Sequence, residues 1–358
     1  MVPAKPVRNR TDLSLVYTPG VAAVSSHIAH DAKRAREFTM KGRTVAVVSD
    51  GSAVLGLGNI GAFGALPVME GKAALFKTFA DIDAIPLVLD TQDPEEIIET
   101  VKRIAPGFGG INLEDISAPK CFEIERRLVE ELDIPVMHDD QHGTAVVVLA
   151  GIMNALKVVG KKLSTAQIVI SGAGAAGTAT ANLLRVAGAQ RILVLDSKGI
   201  ISEGRADLSG HKLELAASTN FEHRTGGLRE ALQGADVLIG VSGPGLAKAA
   251  DIKLMASKAI VFALANPTPE IMPDEAKKGG AVVIATGRSD FPNQVNNSLA
   301  FPGIFRGCLD NGVRKITDDI KLKAAKALAA LIVKPTPGKI LPDMFDARVA
   351  AAVAKAVR

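Results

Sequence analysis

The sequence predicts an α/β protein built as two domains. Residues 1–145 form an N-terminal α/β domain for substrate and metal, residues 146–310 a second α/β domain, and residues 311–358 are C-terminal helices that pack back on the body. Three observations predict this. Short apolar strands alternate with helical stretches through the first half, the pattern of a mainly parallel sheet. Two of those strands end in paired acids, Glu114-Asp115 and Asp139-Asp140. Beyond a long apolar stretch, a strand runs straight into Gly172-Ala-Gly-Ala-Ala-Gly177 and a helix of small residues.

Composition narrows the classes. At 358 residues, 47% hydrophobic and 22% charged, the chain is long enough for two cores and ordinary for a globular protein. The formal charge of +4 comes from scattered basic residues, so no nucleic-acid footprint is expected, while an anionic small substrate is compatible. Cys121 and Cys308 stand apart, which suits a reducing compartment. No apolar run is expected to span a membrane, and the N-terminus lacks a leader pattern, so a cytoplasmic protein is expected.

In order, residues 1–10 read as a basic tail, and the only tyrosine, Tyr17, precedes a Thr-Pro-Gly turn and a helix running to Ala35. Thr44–Ser49 is a β-rich run closed by Asp50-Gly51. Gly56-Leu-Gly-Asn-Ile-Gly61 matches a dinucleotide pattern but does not follow a strand directly; it reads as a loop that lets the backbone approach a ligand. The next helix carries Lys72 among Gly and Ala, a setting in which burial would depress an amine pKa. A strand at Ile85–Leu89 follows, then Asp93-Pro94, which reads as an N-cap with Pro in the first turn. Phe108–Leu113 is a strand delivering Glu114 and Asp115. Ala118–Leu128 is a helix, and Ile134–Met137 is the last strand of this half.

Adjacent acids at strand ends are costly unless a cation pairs with them. The two acid pairs together supply three or four oxygen ligands for a hard ion such as Mg²⁺ or Mn²⁺. Gly143 is expected to release the chain from the second pair into a helix. His138 and His142 have the four-residue spacing of a helical zinc pair, but the zinc-protease pattern needs Glu where Asp139 stands.

In the second half, the Gln167–Ser171 strand, the loop Gly172, Ala173, Gly174, Ala175, Ala176, Gly177, its helix and a strand ending in Asp196 satisfy the whole Rossmann-type dinucleotide fingerprint. The glycines permit the tight turn and close pyrophosphate approach, and the helix N-terminus faces the phosphate charge. Further strands at Ala235–Val241, Ala259–Leu264 and Ala281–Ala285 place Asn266 and the Asn296-Asn297 pair on loops at the cofactor edge. A helix from Thr317 and a last one over Phe345–Arg358 complete the chain.

Seven stretches in this order resemble malic enzymes of the short bacterial type: Leu15–Ala22, Val54–Gly61, Pro67–Lys72, Leu113–Asp115, His138–Thr144, Ala265–Thr268 and Asn296–Gly303. The resemblance implies oxidative decarboxylation of L-malate to pyruvate and CO₂ with NAD or NADP and a divalent ion. It implies Lys72 as the base for the C2 hydroxyl, Asp139 beside it, and Glu114, Asp115 and Asp140 as the Mg²⁺ or Mn²⁺ ligands. Tyr17 would protonate C3, and Asn266 and Asn297 would orient malate. Val54 stands where larger members carry an Arg that clamps a substrate carboxylate, so that grip is unassigned. Asp196 favours NAD through the ribose 2′-hydroxyl, while Lys198 leaves NADP open. A homodimer is expected. A redox-silent decarboxylase making lactate would share the same site, and a metal-free amino-acid dehydrogenase would share the layout.

Overall fold

A computed structural model describes residues 6–54 and 56–358; the first five residues of the expected tail and Leu55 of the first glycine loop lie outside the described residues. The first sheet holds β1 (Thr44–Ser49), β2 (Asp83–Val88), β3 (Gly110–Leu113) and β4 (Val136–His138) in the order β2-β1-β3-β4, all parallel. Every residue of β1, β3 and β4 is buried, which explains their unbroken apolar runs: a parallel sheet is covered on both faces. The second sheet holds β5 (Gln167–Ser171), β6 (Arg191–Asp196), β7 (Gly199–Ile200), β8 (Val237–Gly240), β9 (Ala259–Ala263) and β10 (Ala281–Thr286). Its order is β10-β9-β8-β5-β6-β7, parallel except for the short β6–β7 pair. The order reverses on either side of β5, so a crevice opens at the carboxyl ends of β5 and β8, where such sheets bind ligands.

The helix Asp139–Val159 links the sheets. It starts at Asp139 itself, not after Gly143 as expected. His138 is extended and caps it, and both acids occupy the first turn, where the helix dipole favours carboxylates. Its length and composition would suffice to cross a membrane, contrary to expectation, but 72% of that stretch is buried inside the protein. It packs against the helices Ala175–Val186 and Asp318–Ala330. The buried amide of Asn154, on this helix, donates to the carbonyls of Ala329 and Ile340, each at 2.9 Å, and so ties the C-terminal segment down.

The helix Phe301–Asn311, expected with the second domain, packs instead against Gly61–Ala80 of the first. The reason is aromatic: Phe301 and Phe305 lie with ring centroids 4.6 and 5.5 Å from that of Phe76. The last helix, Arg348–Ala356, covers both. At the other end the helix expected to reach Ala35 stops at His30, because the Asp31 side chain accepts from the Lys33 N–H and starts a separate turn. That helix and the preceding Arg10–Val16 contain no buried residue.

Candidate active site

The carboxyl edges of the two sheets face one cleft of about 990 Å³. Glu114, Asp115 and Asp140 enter it from the first sheet, and Ala175, Ser242, Asn266 and Asn297 from the second. Gly56, at φ +71°, closes the seam: a Cβ there would lie 2.7 Å from the Asn266 carbonyl oxygen, so only glycine permits this approach.

Lys72 reaches the floor because Ala65, Met69, Lys72, Phe76 and Ala80 form the buried face of the helix Gly61–Ala80. Its Nζ lies 2.6 Å from Asp139 Oδ2, 2.8 Å from Glu114 Oε1 and 4.2 Å from the centre of the Phe301 ring. Burial alone would depress this amine, as expected from its apolar neighbours. Asp139, then Glu114 and Asp140, outweigh burial and hold its pKa above the ordinary lysine value. The expected depression is therefore reversed. Asp139 is itself lifted to about 6, by burial against the opposing pull of Lys72. Its second oxygen, Oδ1, has no hydrogen-bond partner and lies over Gly143, where a Cβ would come within 1.8 Å.

The remaining acids converge. Ligand oxygens of Glu114, Asp115 and Asp140 all lie within 4.8 Å of one another. Asp115 adopts φ +53°, an uncommon conformation that aspartate tolerates better than most residues, and its N–H donates to Asp140 Oδ2 at 2.9 Å. Its own Oδ2 is buried without a partner. Burial, then the charges of Asp140 and Glu114, push its pKa up to about 9. Three hard oxygen donors, one of them with a buried atom that no group in the described residues fills, fit a divalent cation. Asn112 Nδ2 holds the other oxygen of Glu114 at 2.9 Å, fixing its rotamer.

Glu125, which no sequence signal singled out, fastens the helix start that bears the second acid pair. One oxygen accepts the His138 N–H at 2.7 Å; the other accepts from Gln141 at 3.0 Å and contacts His142 Nε2 at 2.9 Å. The two histidines thus serve this clamp and the Ile116 carbonyl, 3.2 Å from His138 Nε2; neither belongs to the group of converging ligands, although His138 Nε2 comes within 3.9 Å of Asp140 Oδ2. Burial opposes ionisation of Glu125, but His142 and the His138 N–H win and hold its pKa at about 2.

In the second domain Gly172, Ala173 and Gly174 line a neighbouring cleft of about 890 Å³ together with Asp196, while Ala175 and Ala176 line the first. Gly177 lines neither. A Cβ on it would lie 1.8 Å from the Gly172 carbonyl oxygen, so it serves the close packing of helix on strand. Asp196 is not the open acceptor expected: Arg205 and Lys212 grip both its oxygens, because a carboxylate this covered needs partners. Lys198, expected to await a phosphate, pairs with Asp207 at 3.0 Å. Arg205 and Lys212 carried no signal beyond their charge.

Of the residues named from the sequence, Lys72, Asp139, Glu114, Asp115, Asp140, Asn266 and Asn297 thus meet in or beneath one cleft. Tyr17 does not join them. It sits 66% exposed at the end of the helix Arg10–Val16 and lines no part of the cleft.

Two family descriptions match the chain: "Malic enzyme, N-terminal domain" over residues 1–129 and "Malic enzyme, NAD binding domain" over residues 141–358. The chain is 56% identical to the NAD-dependent malic enzyme of Geobacillus stearothermophilus, over 98% of this chain and 74% of that protein. It is 52% identical to the NADP-dependent malic enzyme of Halomonas elongata, over 96% of this chain and 81% of that protein. A solved NAD-dependent malic enzyme from Thermotoga maritima superimposes with a TM-score of 0.97 at 51% identity, covering 100% of this chain and 95% of that one.

Proposed function

Because this chain belongs to the malic enzyme family, we propose that the buried Lys72–Asp139 pair and the carboxylates above it carry the family's reaction. That reaction is the oxidative decarboxylation of L-malate to pyruvate and CO₂ with reduction of NAD or NADP. The observation that carries the assignment is the 2.6 Å contact between Lys72 Nζ and Asp139 Oδ2 beneath three converging acids.

Malate enters the larger cleft with its C2 hydroxyl toward Lys72 Nζ. Asn266 and Asn297, on the opposite wall, orient its carboxylates by hydrogen bonds. Glu114, Asp115 and Asp140 would hold Mg²⁺ or Mn²⁺. When bound, the ion supplies Lewis acidity toward the C2 oxygen and positive charge that offsets the acids around Lys72. Lys72 Nζ first passes a proton to Asp139 Oδ2, with which it is in hydrogen-bond contact, and the neutral amine then takes the C2 hydroxyl proton; a bound nicotinamide would supply the hydride acceptor for C2. Asp139, at about 6, is poised to hold a proton near neutral pH. Burial of Lys72, Asp139 and Glu114 keeps bulk water from competing. Loss of C4 as CO₂ leaves a C3 carbanion equivalent, which needs an acid.

Tyr17 suits that step as a phenol delivered by a second copy of the chain. The helices that carry it bury nothing of their own and expose Leu13, Leu15, Val16 and Val21; Leu57, next to Gly56 in the chain, and Phe63, in the first turn of the helix Gly61–Ala80, are exposed at 66% and 82%. Such apolar exposure on two faces suits a homodimer in which each site draws Tyr17 from its partner. Mixing Lys72→Ala and Tyr17→Phe chains tests this. Random reassociation should restore about a quarter of wild-type pyruvate formation, since one site in each mixed dimer is intact. If both groups act within one chain, the mixture stays inactive. NADH or NADPH formation from L-malate, abolished by EDTA and restored by Mn²⁺, tests the reaction itself.

A further inference from the structure

The second cleft ends in an ion cluster that the reaction chemistry does not use. Asp196, at the end of β6, is filled on both oxygens. Oδ1 accepts from Arg205 Nη1 at 2.8 Å and from the Lys198 N–H at 3.0 Å; Oδ2 accepts from Arg205 Nη2 at 3.1 Å and from Lys212 Nζ at 2.7 Å. A carboxylate offers about four lone-pair sites. None is left for a ribose 2′-hydroxyl. Asp207 takes the far side of the same guanidinium, with Nε–Oδ1 at 3.0 Å and Nη2–Oδ2 at 2.8 Å, and also pairs with Lys198. Two carboxylates thus meet three cations, Arg205, Lys212 and Lys198, which leaves one positive charge at the mouth of a cleft lined by Gly172, Ala173, Gly174, Asp196 and Lys212.

An acid at this position ordinarily selects NAD in two ways: it accepts from the 2′-hydroxyl and repels a 2′-phosphate. Here both actions are blocked by the same groups. Arg205 is mostly covered, with 15% of its side chain exposed, and holds Asp196 in a fixed bidentate pair; Lys212 and Lys198, at 32% and 66%, are free to swing. Release of Lys212 toward an incoming phosphate leaves Asp196 still paired with Arg205, so the exchange strands no charge.

We propose that Arg205 and Lys212 determine cofactor choice: by occupying Asp196 they convert an NAD-selective ribose site into one that also accepts the 2′-phosphate of NADP, with Lys212 and Lys198 as its grip. This rests on the reading that the Gly172 cleft holds the adenosine half of the cofactor.

Calorimetric titration of the intact protein with adenosine 2′,5′-bisphosphate and with adenosine 5′-monophosphate tests the inference without the reaction. The wild type should bind the bisphosphate at least as tightly as the monophosphate. Lys212→Ala should weaken the bisphosphate about tenfold more than the monophosphate, the worth of one charge-assisted hydrogen bond. In steady-state assays with malate and Mn²⁺, the same variant should lose about tenfold more kcat/KM with NADP than with NAD, and Asp196→Asn should raise the NADP-to-NAD ratio. Binding of the monophosphate with exclusion of the bisphosphate would overturn the proposal, as would equal losses for both cofactors in Lys212→Ala. Binding of neither nucleotide would instead overturn the placement of the adenosine half, and the proposal with it.

Discussion

The Asp115 N–H donates to Asp140 Oδ2 at 2.9 Å, joining the ends of two adjacent strands across 25 positions of sequence. This bond holds two acids together that would otherwise repel, and the cost shows in Asp115, lifted to about 9 by burial and by its acidic neighbours. Between its ordinary carboxylate value and about 9 the folded protein retains a proton that the unfolded chain has lost, so stability falls as pH rises through that window. A divalent ion replaces that proton. Protein stripped with EDTA should therefore melt a few degrees lower at pH 8.5 than at pH 6, and Mn²⁺ should remove most of the difference. Thermal scans at the two pH values check this; a metal-free Tm independent of pH would contradict it.

Lys72→Ala should lower malate oxidation by about a thousandfold or more, since it removes the amine that accepts the hydroxyl proton. It also strands Asp139 and Glu114 as buried acids without their cation, so a stability loss of about 3–5 kcal/mol is expected. Asp139→Asn keeps the shape and relieves one of the two acids, so it should unfold at higher denaturant than Lys72→Ala while remaining slow in turnover. Urea titration beside initial rates separates the two effects. A Lys72→Ala protein with wild-type kcat would remove the proposed base.

Glu125 makes the opposite pH argument. Its pKa is held at about 2 in the fold, below its ordinary value of 4.5, so its stabilisation is present above about 4.5 and disappears as pH falls toward 2. Glu125→Gln should weaken the clamp on His138, Gln141 and His142, cost about 2–3 kcal/mol at neutral pH, and flatten the acid limb of the stability curve. Because the clamp holds the turn bearing Asp140, the Mn²⁺ concentration needed for half-maximal rate should rise severalfold. Unchanged metal dependence in a stably folded Glu125→Gln would mean that the helix start is held by other contacts.

The chain order of strands and helices, the second glycine loop and the acid pairs were legible because each rests on local pattern: short unbroken apolar runs, a strand that meets glycines directly, carboxylates where a strand stops. What stayed hidden is set by partners distant in sequence. Lys72 sits among alanines, yet its charge is governed by Asp139 and Glu114, 67 and 42 positions away, so the local setting gave the wrong direction of shift. Asp196 likewise matched its motif, while the side chains that disable its usual role lie in the loop and helix beyond β6. Tyr17 carried a motif but no information on where a flat, unburied helix pair would dock.

Gly143 gives the sharpest test of how the floor is set. In the middle of a helix glycine costs about 1 kcal/mol relative to alanine, so Gly143→Ala should stabilise the helix Asp139–Val159 if nothing opposed it. But a Cβ there would stand 1.8 Å from Asp139 Oδ1 and 3.2 Å from the Asn297 Cβ. Asp139 must then rotate away, which breaks its contact with Lys72 and shifts the wall that carries Asn297. The helical content should survive while kcat falls by about a hundredfold, the scale of a misplacement near 1 Å. Circular dichroism and steady-state rates on Gly143→Ala decide it: a more stable protein with wild-type turnover would show that the Lys72–Asp139 contact does not need this space.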